Sequence, residues 1–110
     1  MSEVRYVIRP KTDQDLDDQA FHYATEANPD IGHRFLVLAD ETFSLLSTQP
    51  EMGWNPKLPH RDLAGLRLFV VTGFERILIL YRPLENGVEI LRVIHGSQNV
   101  LRLLRRQGIE

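Results

Sequence analysis

The sequence predicts an α+β domain: one short strand, two helices, three antiparallel strands and a C-terminal helix, with the helical hairpin packed on one face of the sheet. Three observations predict it. Apolar residues recur at helical spacing between residues 12 and 47. Apolar, often β-branched runs then follow between residues 66 and 95, separated by turn signals at Gly73 and at Glu85-Asn86-Gly87. The length of 110 residues, with 43% hydrophobic and 25% charged residues, suits a single domain over 1–110 with one core. No repeat, low-complexity tract or linker divides it.

Val4 to Ile8 (VRYVI) reads as a short strand stopped by Pro10. Thr12 is the expected cap of the first helix, with Asp13 and Asp15 in the first turn, where the helix dipole favours anions. Leu16, Ala20, Tyr23, Ala24 and Ala27 give that helix its apolar side. Asn28-Pro29 ends it and opens the second helix, Asn as cap and Pro at the first helical position.

The second helix is expected to run to about Ser47. Ile31, Phe35, Leu38, Thr42 and Leu45 form one stripe. Leu36 and Phe43 lie about 120–140° round the helix from Ile31 on a 100° wheel. Two readings of this width stand side by side. The helix is wedged between its neighbour and the sheet, or the extra face is a groove for a partner's helix.

Residues 48–64 hold three prolines, a glycine and the single tryptophan, and read as an ordered loop with Trp54 packed beneath it. Strands are expected at Leu66–Val71, Arg76–Arg82 and Val88–His95, the last two joined by an Asn-Gly hairpin. Ser97 caps the C-terminal helix. Val100, Leu103 and Leu104 form its apolar side, Arg102, Arg105 and Arg106 lie at its C-terminal end, and Gly108 ends it.

Composition narrows the function. The chain has no cysteine, which removes disulfide and thiolate chemistry and fits a reducing compartment. MSEVRYVIRPK lacks the apolar core of a signal peptide, and no segment approaches the ~20 apolar residues of a membrane span, so a cytoplasmic setting is expected. The net charge of −2 disfavours a domain that lives on nucleic-acid phosphates. Of 13 basic residues only Lys11 and Lys57 are lysines, and arginine suits bidentate contacts to carboxylates or backbone. There is no Gly-rich phosphate loop, no nucleophile elbow and no clustered metal site, so neither cofactor nor metal is expected. Asp13, Asp15, Asp17 and Asp18 read as the solvated start of a helix.

Arg92 and His95 are the residues that invite a chemical reading. They are three apart, so a regular strand puts them on opposite faces. A two-residue Asn86-Gly87 turn would set Arg92 opposite Tyr81, as a cation–π pair, and His95 opposite Leu78. Both then read as structural residues at the strand end.

In order and spacing these residues resemble the ParE side of the RelE/ParE superfamily, toxins of bacterial type II toxin–antitoxin pairs. The resemblance covers nearly the whole chain. It is carried by Asp15-Leu16 with Tyr23, by Phe35, by Pro50 and Gly53 as P-x-x-G, by Leu66-Arg67, by Leu80-Tyr81-Arg82, and above all by Ile90-Leu91-Arg92-Val93-Ile94-His95-Gly96. The resemblance implies the strand–helix–helix–three-strand fold and a cognate antitoxin, ParD-like or another short acidic protein, in a hetero-oligomer. Phe35, Leu36, Phe43 and Arg82 are then candidates for antitoxin contact, with Phe43→Asp expected to weaken binding without unfolding the chain. Tyr81, Arg92, His95 and Gly96 mark the functional strand end. Arg67, Arg102, Arg105 and Arg106 are candidates for target contact.

Two activities exist in the superfamily: ribosome-dependent mRNA cleavage and poisoning of DNA gyrase. Metal-free RNA cleavage needs cations around the phosphate and a general acid or base. Here Arg67, Arg92 and His95 are the available set, and no tyrosine follows Tyr81. The expectation is therefore a non-enzymatic gyrase inhibitor that binds neither membrane nor specific nucleic acid by itself. The alternatives are an mRNA endoribonuclease and an inactive relative that serves only its antitoxin. The chain departs from the family after His-Gly, where Ser97-Gln98-Asn99 replace the common Arg and Asp.

Overall fold

Proline decides where the first helix begins. The computed structural model describes residues 5–57, 61 and 64–96. In it, strand β1 (Tyr6–Ile8) passes through an extended Arg9 into helix α1 (Pro10–Glu26), with Pro10 in its first turn. The fixed φ of proline is already helical, so the helix starts at Pro10 and Arg9, not Thr12, is the cap residue. Thr12 is instead buried in the first turn, its hydroxyl donating to the Ile90 carbonyl at 3.0 Å. Helix α2 (Pro29–Thr48) opens as expected: the Asn28 side chain accepts the Ile31 N–H at 3.0 Å.

Three further strands follow: β2 (Arg67–Val71), β3 (Phe74–Leu84) and β4 (Gly87–His95). The sheet order is β1-β4-β3-β2, antiparallel throughout except for β1, which runs parallel to β4. Ser97, the expected C-terminal helix with Arg102, Arg105, Arg106 and Gly108, and also Val4, lie outside the described residues.

The register of the β3–β4 hairpin differs from the expected one. Leu84 pairs with Gly87, so the turn is Glu85-Asn86 and Gly87 already belongs to the strand. Gly87 has φ +148°, and any Cβ there would run into the Arg5 carbonyl, so glycine is required where β1 meets the hairpin. A bulge then intervenes at Leu80/Tyr81, with Leu91 the extra residue. Tyr81 therefore stands opposite Ile90, Arg92 opposite Leu80 and His95 opposite Ile77. The expected pairing of Arg92 with Tyr81, and of His95 with Leu78, does not form.

The main core lies between the helices and one face of the sheet. Gly32, Phe35, Ala39, Thr42, Phe43 and Leu46 are the buried residues of α2. They pack over Ile77, Ile79, Tyr81, Val88, Ile90 and Val93. The helix is wedged, the first of the two readings of its wide apolar face. Phe43 is 1% exposed and packs edge-on against Tyr6 at 5.4 Å, while Leu45, expected inside, faces out. Gly32 lets α2 approach α1, since a Cβ there would lie 2.7 Å from the Ala20 carbonyl. The other face of the sheet carries a smaller cluster, Leu66, Leu68, Leu80 and Leu91. Among the described residues no helix is long and apolar enough to cross a membrane.

Candidate functional site

Three polar knots tie the strand residues singled out above to the rest of the fold. In the first, α1 runs beside the free edge of β4 beyond the end of β1. Asp15 thereby comes to lie against Arg92 and Val93. One carboxylate oxygen takes Arg92 Nε at 2.7 Å and the Val93 N–H at 3.0 Å, and the other takes Arg92 Nη2 at 3.0 Å. The pair is nearly buried, with side-chain exposures of 8% for Arg92 and 12% for Asp15. A two-pronged guanidinium–carboxylate contact of this kind is strong and orienting. Asp15 is thus not part of a solvated helix start. The partner of Arg92 is a carboxylate and not the expected aromatic face.

The second knot explains Pro50 and Gly53. Tyr81 projects from β3 towards the loop after α2, donates from its hydroxyl to the Pro50 carbonyl at 2.7 Å and accepts the Gly53 N–H at 3.0 Å. A Cβ on Gly53 would sit 2.5 Å from that hydroxyl and 2.6 Å from the Leu68 carbonyl. Arg67, the cross-strand partner of Tyr81, donates to the Gly53 carbonyl at 2.5 Å and reaches the Glu51 carbonyl at 3.3 Å. Burial pushes the Tyr81 phenol above its usual value, against the opposing pull of the Gly53 bond and of Arg67. Trp54 does not lie under the loop. It is 49% exposed, and its backbone bonds both ways with Leu68 on β2.

The third knot is Glu89 between two arginines. Its oxygens accept Arg82 Nε at 2.7 Å and Arg9 Nε at 2.8 Å. Burial alone would raise its pKa, but the hydrogen bonds and charges of Arg82 and Arg9 prevail and hold it below the usual carboxylate range. Arg82 is exposed on β3 and is held on Glu89.

The residues therefore do not converge. Arg67 and Arg92 stand on β2 and β4, with β3 between them, about 10 Å apart by strand spacing. Each is engaged with acceptors of its own chain. His95 is half-buried at the end of β4, and Gly96 closes the strand through an N–H bond to the Arg76 carbonyl at 2.6 Å. Phe35 and Phe43 are both core residues, so neither can offer a docking surface without unfolding; of the α2 candidates only Leu36 is exposed, at 38%. Arg102, Arg105 and Arg106 lie outside the described residues. Among the described residues no group of His, Cys, Asp and Glu could hold a metal ion.

A family model described as the ParE toxin of the type II toxin–antitoxin system, parDE, matches residues 6–100. This chain belongs to the ParE toxin family. The ParE family chain is also similar in fold to a solved structure titled chromosomal ParDE TA system from P. aeruginosa. The TM-score is 0.67 at 20% identity, covering 86% of this chain and 95% of that one. At that identity the likeness speaks for the fold alone. No curated protein sequence matches significantly.

Sequence reading did not single out Glu89 and Arg9, took Thr12 for a helix cap and assigned Asp15 to solvent. A signal for Thr12 and Asp15 was present: with Leu16 they share one side of a helix, at the spacing of its buried stripe.

Proposed function

We propose that this ParE-family chain is a cytoplasmic toxin that inhibits DNA gyrase by binding, without catalysis, and that a cognate antitoxin neutralises it in a hetero-oligomer. Family membership supports the toxin–antitoxin setting. The observation that carries the choice of target is the engagement of both strand arginines. Arg92 is forked on Asp15, and Arg67 is bound to the Gly53 and Glu51 carbonyls. An endoribonuclease would need these cations, with His95, around one scissile phosphate. Moving either one to RNA would break an interaction that holds α1 or the loop after α2. Leu36 and Arg82 remain the candidates for antitoxin contact, and Arg102, Arg105 and Arg106 for contact with the target.

The test is induction of the chain alone in bacteria, with parallel pulse labelling of DNA and protein synthesis. An early fall in DNA synthesis with translation intact is the expected result, followed by loss of supercoiling by purified gyrase. An early fall in translation would overturn the reading in favour of mRNA cleavage. Normal growth would leave the chain as an antitoxin partner only.

A further inference from the structure

The chain has four asparagines, and the residue after each sets it apart chemically. An asparagine converts spontaneously when the backbone nitrogen of the next residue attacks its side-chain amide carbon. Pro29 follows Asn28 and Pro56 follows Asn55. A proline nitrogen has no hydrogen to lose, so neither pair closes this ring. Val100 follows Asn99, and its branched side chain crowds the nitrogen. Asn86 alone is followed by glycine, which has no side chain to shield its nitrogen.

The fold widens the difference. The Asn28 side chain is held by the Ile31 N–H, and the Asn55 side chain bonds the Ala64 carbonyl at 3.0 Å and the Lys57 N–H at 2.6 Å. Asn86 is exposed at the tip of the β3–β4 hairpin, and among the described residues nothing hydrogen-bonds its side chain. The favoured two-residue hairpin turn has positive φ at both central residues. Neither Glu85 nor Asn86 has it, so the turn does not match the twist of its strands. The Leu84–Gly87 pair that closes the turn is the last of its ladder and the first to open. Gly87 is buried against the Arg5 carbonyl, so its nitrogen is released in that open form.

We propose that Asn86 is a spontaneous modification site, converted through a cyclic imide with Gly87 to isoaspartate, and that the product releases β1 from the sheet. Hydroxide takes the Gly87 amide proton. The nitrogen bonds Asn86 Cγ, the Cγ–Nδ2 bond breaks, and ammonia leaves after taking a proton from water, which restores the hydroxide. Water then opens the ring at the main-chain carbonyl carbon of residue 86. That carbonyl becomes a free carboxylate, and the chain runs on through Cβ and Cγ. Opening at Cγ gives ordinary aspartate. Water is the only co-reactant. The isoaspartate lengthens the main chain beside Gly87, where even an added Cβ would run into the Arg5 carbonyl. The Val88 N–H bonds that carbonyl at 3.4 Å, and the Arg9 N–H bonds the Ile90 carbonyl at 3.2 Å; these two bonds bracket the β1–β4 ladder. The fold thus carries a chemical clock on β1, whatever the chain binds.

The test is ageing of the full chain at mildly alkaline pH. An isoaspartyl methyltransferase with a labelled methyl donor is the probe, read peptide by peptide after digestion. Asn86→Ser, whose fresh melt should match the wild type, is the blocked control, and Asn86→Asp carries the new charge without the longer main chain. The expected results are label at residue 86 at least tenfold above that at Asn28, Asn55 or Asn99, and none in the peptide of Asn86→Ser. The aged acidic fraction should melt below Asn86→Asp and exchange the Val88 and Arg9 amides at least tenfold faster. Label at residue 86 no higher than at the other asparagines would overturn the site. Label there with unchanged exchange at Val88 and Arg9 would overturn the release of β1.

Discussion

Asp15 closes the free edge of β4 by taking the Val93 N–H and the Arg92 guanidinium on one carboxylate. The carboxylate does what a neighbouring strand would do, and the arginine neutralises it. Removing one member leaves the other charged and nearly buried. Arg92→Ala should therefore destabilise the chain by about 3 kcal/mol. Arg92→Lys should recover only part of this, since an ammonium cannot reproduce the fork. Urea melts of Arg92→Ala, Asp15→Ala and the double variant check it. Additive losses would mean that the two side chains do not act as a pair.

The notch at Gly53 should be intolerant of any side chain. Gly53→Ala places a methyl 2.5 Å from the Tyr81 hydroxyl and 2.6 Å from a backbone carbonyl, neither of which can move without disturbing the core. A loss of about 2–3 kcal/mol is expected. Tyr81→Phe removes the hydroxyl and leaves the Pro50 carbonyl and the Gly53 N–H without it, for about 1–2 kcal/mol. In the Tyr81→Phe background Gly53→Ala should cost less than in the wild type. Thermal melts of the four proteins decide it.

What could be read from the sequence was whatever follows from local rules. The helices, the Asn28-Pro29 junction and the order of elements along the chain follow from periodicity and from the distinct chemistry of proline and asparagine; the place of β1 beside β4 in the sheet does not. The outline of the hairpin followed too, but not its register. The bulge at Leu80/Tyr81 shifts every later pairing by one residue, and no propensity reports a bulge. The turn at Glu85-Asn86 moves the register two residues from the expected one and the bulge takes one of them back, so Arg92 faces Leu80 and not Tyr81, while its ion-pair partner lay unseen on a helix 77 residues away in sequence. The burial of Phe43 was missed for a related reason. A helical wheel gives angles, but the width of the buried face depends on what lies above and below it, and α2 is covered by both α1 and the sheet. Glu89 showed no signal, since a lone glutamate in a strand looks like any surface residue.

Phe43 and Leu36 should therefore behave in opposite ways. Phe43→Asp puts a charge into the main core against Tyr6 and should abolish the cooperative melt. Leu36→Asp alters an exposed position and should stay within about 0.5 kcal/mol of the wild type. Circular dichroism melts separate them. Only the second variant can then be used to ask whether α2 contributes to antitoxin affinity.

The fold should lose stability at both ends of the pH scale, for different reasons. Glu89 has its folded pKa depressed below the usual 4.5. Its contribution is fully present above that value and is lost as the pH falls through the folded pKa. Tyr81 and Tyr23 have folded pKa values raised above 10.0, chiefly by burial. The folded state keeps these phenols neutral where the unfolded chain ionises, so their contribution is present below pH 10 and lost as the pH rises further. Glu89→Gln should flatten the acid limb and leave the alkaline limb unchanged. Tyr81→Phe should flatten the alkaline limb on top of its constant loss. Urea unfolding from pH 3 to pH 11 on the three proteins measures both limbs. An acid limb that keeps its slope in Glu89→Gln would show that its protons go to other carboxylates.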